Sequence, residues 1–279
     1  MTASSLTGEA SLFVPYQNMP RHQAKKRFGQ HFLSDAHIIN LLVSHINPMP
    51  DDQMLEIGPG LGALTKPILA LLNHLQVIEI DRDVINHLKR IGGSKLTIHN
   101  VDALRVNLDE ITDPSRPLRI IGNLPYNIST PLIFHLLNTA PRISDMHFML
   151  QKEVVDRITA VPGNKDFGRL SVMVQYRCQT EYLFFVGPES FSPPPQVDSA
   201  VVKLTPWTEK PFQAVDETLF ANVVTQAFSQ RRKTLRNTLK KLITADELSS
   251  LGIEPTQRAE TLSVSQFVAI SNHISELSA

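Results

Sequence analysis

The stretch MLEIGPGLG, residues 54–62, starts as a nearly unbroken apolar run and ends in three glycines, Gly58, Gly60 and Gly62. A short run with hardly a polar position reads as a strand covered on both faces. The glycines let the backbone turn sharply and leave room for a ligand to lie against main-chain atoms. Helical periodicity follows over 62–73. Strand, glycine turn and helix make the first unit of a doubly wound sheet.

The same alternation continues downstream. QVIEID (76–81), LTIHN (96–100), RIIGN (119–123) and MHFML (146–150) are further strand-length apolar runs, with helices expected over 82–90 and 131–138. Thr130 is placed to cap the last of these, with Pro131 at its first position, where a missing N–H costs little. The pattern predicts an α/β fold, a Rossmann-like, mostly parallel sheet. After residue 150 it changes. SVMVQYRC (171–178) and EYLFFVG (181–187) are too close for a helical crossover, so an antiparallel pair is expected. SAVVKL (199–204), after a proline-rich loop, adds to that antiparallel edge. Beyond TPWTEKPF the strand signal gives way to helical periodicity, with Thr244/Glu247 and Ser263/Gln266 spaced as capping boxes. The expected organisation is a loosely ordered tail over 1–24, a sheet domain over 25–206 and a small all-helical domain over 212–279.

With 279 residues and 42% apolar content the chain can bury a substantial core. Lys and Arg number 27 against 27 Asp and Glu, so no bulk charge attracts a polyanion, and any nucleic-acid affinity must come from local clusters. Cys178 is the only cysteine, which excludes an internal disulfide framework and a thiolate zinc cluster; it reads as a small core residue in a reducing compartment. The N-terminus lacks the pattern of a secretory signal and no apolar run reaches the roughly 18 residues of a membrane span. A soluble, cytoplasmic protein without a metal is expected.

Three strand ends carry the first functional signal. Gly58 and Gly60 form the turn after the first strand, Glu79 ends the second strand 21 residues after Gly58, and Asp102 follows the third. A carboxylate at the second strand end can take hydrogen bonds from both ribose hydroxyls, and Asp102 can accept one from an adenine amine. A dinucleotide is the obvious competitor. Its fingerprint is G-x-G-x-x-G, whereas this loop reads G-P-G-L-G and holds no Lys or Arg for a pyrophosphate. A phosphate-free adenosine cofactor, S-adenosylmethionine, is favoured.

At the end of the fourth strand, RIIGNLPYNISTP (119–131) stops at an amide, an imide ring and a phenol. Asn123 should point into the crevice of such a sheet. Its side-chain oxygen, with the Leu124 carbonyl made available by the turn at Pro125, can accept both hydrogens of an exocyclic amine and aim the nitrogen lone pair at a methyl group. Methyl transfer from a sulfonium is an in-line displacement, so alignment and exclusion of water matter more than a strong base. Tyr126 offers a face on which an extruded adenine can stack.

The motifs KKRFGQHFL, LEIGPGLGALT, VIEIDRD, IGNLPYNISTP, MLQKEVVDRI, FGRLSV, FSPPPQVDSAVV and AFSQRRKTLRN occur in this order. On them the sequence from residue 25 to the C-terminus resembles the KsgA-type ribosomal small-subunit RNA adenine dimethyltransferases. The resemblance implies cofactor contacts from His31, Leu33, Gly58, Glu79, Asp102 and Asn123, and makes Phe191 the wall of the base pocket opposite Tyr126. It implies transfer of four methyl groups, two to each of two adjacent adenosines in a hairpin loop near the 3′ end of 16S ribosomal RNA, in a partly assembled small subunit, by a monomer.

QRRKTLRNTLKK (230–241) clusters Arg231, Arg232, Lys233, Arg236, Lys240 and Lys241. On one helix Arg232, Arg236 and Lys240 would form a stripe. Arg21, Lys25, Lys26 and Arg27 make a second cluster. Both suit phosphate contacts on folded RNA. Two other readings stay open at this point: an RNA-binding assembly factor that keeps the fold without catalysis, and an adenine methyltransferase acting on large-subunit RNA or DNA.

Overall fold

The computed structural model describes residues 31–138 and 142–277. The first half runs β1 (Phe32–Leu33), α1 (Ala36–Ile46), β2 (Gln53–Ile57), α2 (Thr65–Leu71), β3 (Leu75–Ile78), α3 (Arg82–Gly92), β4 (Leu96–His99), α4 (Leu108–Ile111), β5 (Leu118–Asn123), α5 (Ser129–Asn138) and β6 (Ile143–Gln151). It continues as α6 (Lys152–Thr159), α7 (Arg169–Gln175), β7 (Cys178–Val186), β8 (Phe191–Ser192) and β9 (Ser199–Pro206), then α8 (Glu217–Ala227), α9 (Leu235–Thr238), α10 (Ala245–Ser250) and α11 (Val264–Leu277). Side-chain caps fix several starts: Asp35 accepts from the His37 and Ile38 amides, Asp81 from that of Asp83, and Asp216 from those of Thr218 and Leu219. Thr244 with Glu247 makes the expected capping box, and Ser263 with Gln266 exchanges the same pair of bonds.

Seven strands form one sheet in the order β4-β3-β2-β5-β6-β9-β7. The strands from β4 to β6 are parallel; β9 runs antiparallel to both β6 and β7. Chain order reverses direction at β2, with β3 and β4 to one side and β5 and β6 to the other, so a crevice opens above the C-terminal ends of β2 and β5. Side chains alternate between two apolar layers. Leu55, Ile120 and Phe148 pack under α5 and α6, while Met54, Ile121 and Met149 pack under α1 and α2. A third cluster joins α8, α9, α10 and α11 around Phe220, Val224 and Phe267. Arg119 anchors β5 at its start, donating to Asp52 at 2.7 Å, to Asp145 at 3.1 Å and to the Ile46 carbonyl at the end of α1.

Two expectations are corrected. SVMVQYRC is not a strand: its first residues lie in α7, and the strand of this region starts at Cys178 and pairs with β9, not with a neighbour in a hairpin. The physical reason is burial on all sides. Leu170 and Val174 pack into the layer under α5 and α6, and Val172 faces the helical cluster, so the helix has no polar face to mark its period. The basic stripe is corrected as well. Only 235–238 are helical; the Leu235 and Arg236 amides bind the Gln257 and Pro255 carbonyls, so Arg232, Arg236 and Lys240 do not share a helix face. A smaller difference is that α5 starts at Ser129, ahead of the expected cap at Thr130. Cys178 lies in the core, where burial pushes its thiol up to about 12.

Candidate active site

The crevice above β2 and β5 holds a cavity of about 250 Å³, lined by His31, Leu33, the 56–61 turn, Glu79, Asp102 and the Asn123–Tyr126 segment, among others. Each expected strand end therefore converges here. Gly60 takes φ +52°, a left-handed conformation, and a Cβ on it would lie 3.0 Å from the Phe32 ring. Gly122 was not foreseen: a Cβ there would stand 2.5 Å from the Ile57 carbonyl oxygen, so only glycine lets β5 approach β2 just before Asn123.

Glu79 is buried at 5% exposure. Its two oxygens accept from the Gly60 amide at 3.2 Å and the Asp81 amide at 2.8 Å, bonds that fix the carboxylate against the glycine turn. A carboxylate offers about four acceptor sites, so lone pairs remain for a ligand's hydroxyls. Burial pushes its pKa up, against the pull of those amide bonds. Glu56, at the end of β2, also lines the cavity and accepts from the Thr65 hydroxyl at 2.7 Å. Burial drives its carboxyl up to about 7. The sequence analysis gives Glu56 no role; its signal is an acidic residue inside an otherwise apolar strand. Asp102 accepts from the Leu104 amide at 3.0 Å, which turns the chain after β4 and leaves its other oxygen 3.8 Å from Arg105.

Asn123 ends β5, and its side-chain amide donates to the His31 carbonyl at 3.0 Å. That bond sets which end of the carboxamide is which: the nitrogen faces His31, and Oδ1 is left as the acceptor. His31 does more than line the cavity. Its Nδ1 lies 2.9 Å from the Pro193 carbonyl and its ring stacks on Tyr126 at 5.9 Å between centroids. Leu33 is buried in β1, which pairs with β8. Tyr126 lines the cavity half-buried, with its hydroxyl 2.7 Å from Ser199 Oγ. Phe191, at 4% exposure, belongs to the core under α1, pairs with Leu33 and is not among the residues lining this cavity. Arg231, Arg232, Lys233, Arg236, Lys240 and Lys241 are all exposed; Arg231 pairs with Glu260 at 3.4 Å. Arg21, Lys25, Lys26 and Arg27 lie outside the described residues.

Residues 21–276 match the family model described as ribosomal RNA adenine dimethylase. The chain belongs to that family. The ribosomal RNA small subunit methyltransferase A of Methylobacillus flagellatus is 55% identical over 255 residues, covering 91% of this chain and 99% of that protein. That of Chromobacterium violaceum is 54% identical over 257 residues, covering 92% and 97%. The crystal structure of a dimethyladenosine transferase from Plasmodium falciparum superposes with a TM-score of 0.76 at 26% identity, over 88% of this chain and 98% of that one.

A ribosomal RNA adenine dimethylase takes its methyl groups from S-adenosylmethionine, and the chemistry of the cavity fits that donor. Glu56, Glu79 and Asp102 line it, and no Lys or Arg is among the described residues that do. Such a set favours a cationic sulfonium and disfavours the pyrophosphate of a dinucleotide.

Proposed function

We propose that this S-adenosylmethionine-dependent ribosomal RNA adenine dimethyltransferase methylates N6 of two adjacent adenosines, twice each, in the 3′-terminal hairpin loop of 16S ribosomal RNA. Its substrate in this reading is a partly assembled small subunit in the cytoplasm, and it works as a monomer. Among the described residues no helix is long and apolar enough to cross a membrane. The names of the bacterial relatives, small subunit methyltransferases, support the substrate.

The observation that carries the site is the Asn123 to His31 bond, because it leaves Oδ1 as an acceptor at the tip of β5. When bound, the donor supplies an electrophilic methyl group on a positively charged sulfur. Glu79 would accept from the ribose hydroxyls of the donor and Asp102 from its adenine amine, with Gly58, Gly60, Leu33 and His31 lining the site that holds it. Oδ1 of Asn123 and the Leu124 carbonyl accept the two hydrogens of the target amine and direct its lone pair; Pro125 constrains the turn that presents that carbonyl. Tyr126 carries the extruded base, a stack worth roughly 1–3 kcal/mol. The methylated aryl ammonium is a strong acid and loses its proton to water, so no side-chain base is required. After the first transfer one hydrogen remains, one acceptor bond is given up, and the pocket must admit a methyl group. In this reading residues 25–206 hold the chemistry and the helical region over 212–279 grips RNA through Arg231, Arg232, Lys233, Arg236 and Lys240.

Mass mapping of adenines after incubation with unmodified small subunits tests the assignment. Two adjacent dimethyladenines near the 3′ end are expected; methylation of large-subunit RNA or DNA in their place, or none, would overturn it. Asn123→Ala is expected to keep its fold and to lose methyl transfer by on the order of 10²-fold or more, since a misaligned amine forfeits near-attack geometry. Wild-type turnover in that variant removes Asn123 from the mechanism.

A further inference from the structure

The Tyr126 phenol is tied to the sheet through a residue with no part in the reading above. Its hydroxyl lies 2.7 Å from Ser199 Oγ, and Ser199 is 0% exposed at the first position of β9. The register makes that position rigid: Ser199 pairs with Gln151 of β6 on one side and Val186 of β7 on the other. Asn123 pairs with Met149 of the same β6. Partners in register project to one face of a sheet, and so do residues two apart along a strand. Asn123 and Ser199 therefore stand on the same face, each referenced to neighbouring positions of a single central strand.

A nucleobase needs only a π face, which phenylalanine offers as well as tyrosine. What the hydroxyl adds is a fixed far end. Tyr126 sits in the turn between β5 and α5, and its ring is otherwise held by the His31 imidazole stacked against it. A hydrogen bond at the ring tip locks the side-chain torsion and so sets the spacing between the ring plane and the Asn123 carboxamide. We propose that Ser199 is a positioning residue for methyl transfer: through the Tyr126 phenol it sets the plane on which the target adenine stacks relative to the Asn123 acceptor. The proposal rests on Tyr126 being the base platform. A platform released from its tether still binds the base but presents the amine off line, so the loss falls on kcat and spares KM.

The test compares Ser199→Ala, Tyr126→Phe and the double variant in methyl transfer to unmodified small-subunit particles, with donor affinity measured by calorimetry. Ser199→Ala removes one oxygen and no carbon, and unchanged donor affinity reports an intact sheet. Each single change is expected to lower kcat by on the order of 10- to 10²-fold with KM for the particle unchanged. The double variant should be no slower than the slower single, because both remove the same bond. A wild-type kcat in Ser199→Ala, a double variant in which the two losses multiply, or a fall in donor affinity that matches the fall in kcat would each overturn the tether. Tyr126→Ala separates the two levels. Wild-type turnover there would sink the platform reading itself, whereas a slow Tyr126→Ala beside a normal Ser199→Ala would sink the tether alone.

Discussion

Glu56 shows what the cavity asks of a single residue. It is 2% exposed and bonded to Thr65, and Glu79 stands close enough to oppose its charge. Burial, with Glu79 adding to it, raises its pKa from 4.5 to about 7. Between those two values the folded protein keeps a proton that the unfolded chain has released. The associated stability is therefore fully present below about pH 4.5 and is lost as pH rises to about 7, a loss of about 3 kcal/mol at 1.36 kcal/mol per pKa unit. The Glu79 shift has the same direction and the same sign. A positive charge in the cavity favours the ionised pair, which gives a reason to keep two buried acids where a cationic donor must sit. Glu56→Gln keeps an acceptor for Thr65 and removes the titration. Thermal unfolding of the ligand-free variant should show a shallower fall in Tm between pH 5 and 7 and a higher Tm than wild type at pH 8. An unchanged slope would place the titration elsewhere.

At the scale of elements, one hydroxyl ties α7 to α6. Ser171 is buried; its Oγ accepts from the Gly168 amide at 2.9 Å and donates to the Arg157 carbonyl at the end of α6. Ser171→Ala leaves both of those groups without a partner, and urea unfolding should report a loss of about 1–3 kcal/mol; a change below about 0.5 kcal/mol would mean that water replaces the hydroxyl. This same helix marks the limit of what the sequence made legible. Strands β2 to β6 could be read to within a few residues because parallel strands covered on both faces are continuous apolar runs. The α7 run looks the same in sequence although it is helical, because two cores rather than one surround it. The site divides in the same way. Gly58, Glu79, Asp102 and Asn123 were legible because each ends a strand and the fold brings strand ends together. The His31 carbonyl that orients Asn123, 92 residues away, and the Ser199 hydroxyl on Tyr126, 73 residues away, were not. Neither interaction leaves a spacing to read, since the main chain and a small hydroxyl serve at almost any position.

For the whole molecule, a formal charge of zero hides a division of labour. Glu56, Glu79 and Asp102 line the cavity, while 231–241 presents Arg231, Arg232, Lys233, Arg236, Lys240 and Lys241 to solvent. Because 235–238 alone are helical, these cations do not form one ridge; they spread over a turn, a single helical turn and the loop after it. A spread of exposed cations suits the irregular phosphate path of folded RNA better than a straight stripe would. Arg231 already pairs with Glu260, so Arg232 and Arg236 are the informative pair to change. Arg232→Glu with Arg236→Glu should weaken binding to small-subunit particles. It should also flatten the dependence of log K on log salt by about 0.7–0.9 for each phosphate that the protein no longer neutralises. Donor affinity should stay at the wild-type value, because neither residue lines the cavity. Calorimetry with the donor and particle binding across a salt series measure both quantities on the same protein. Equal particle affinity with an unchanged slope would make 231–241 a solvated surface and shift the RNA interface to another face of the molecule.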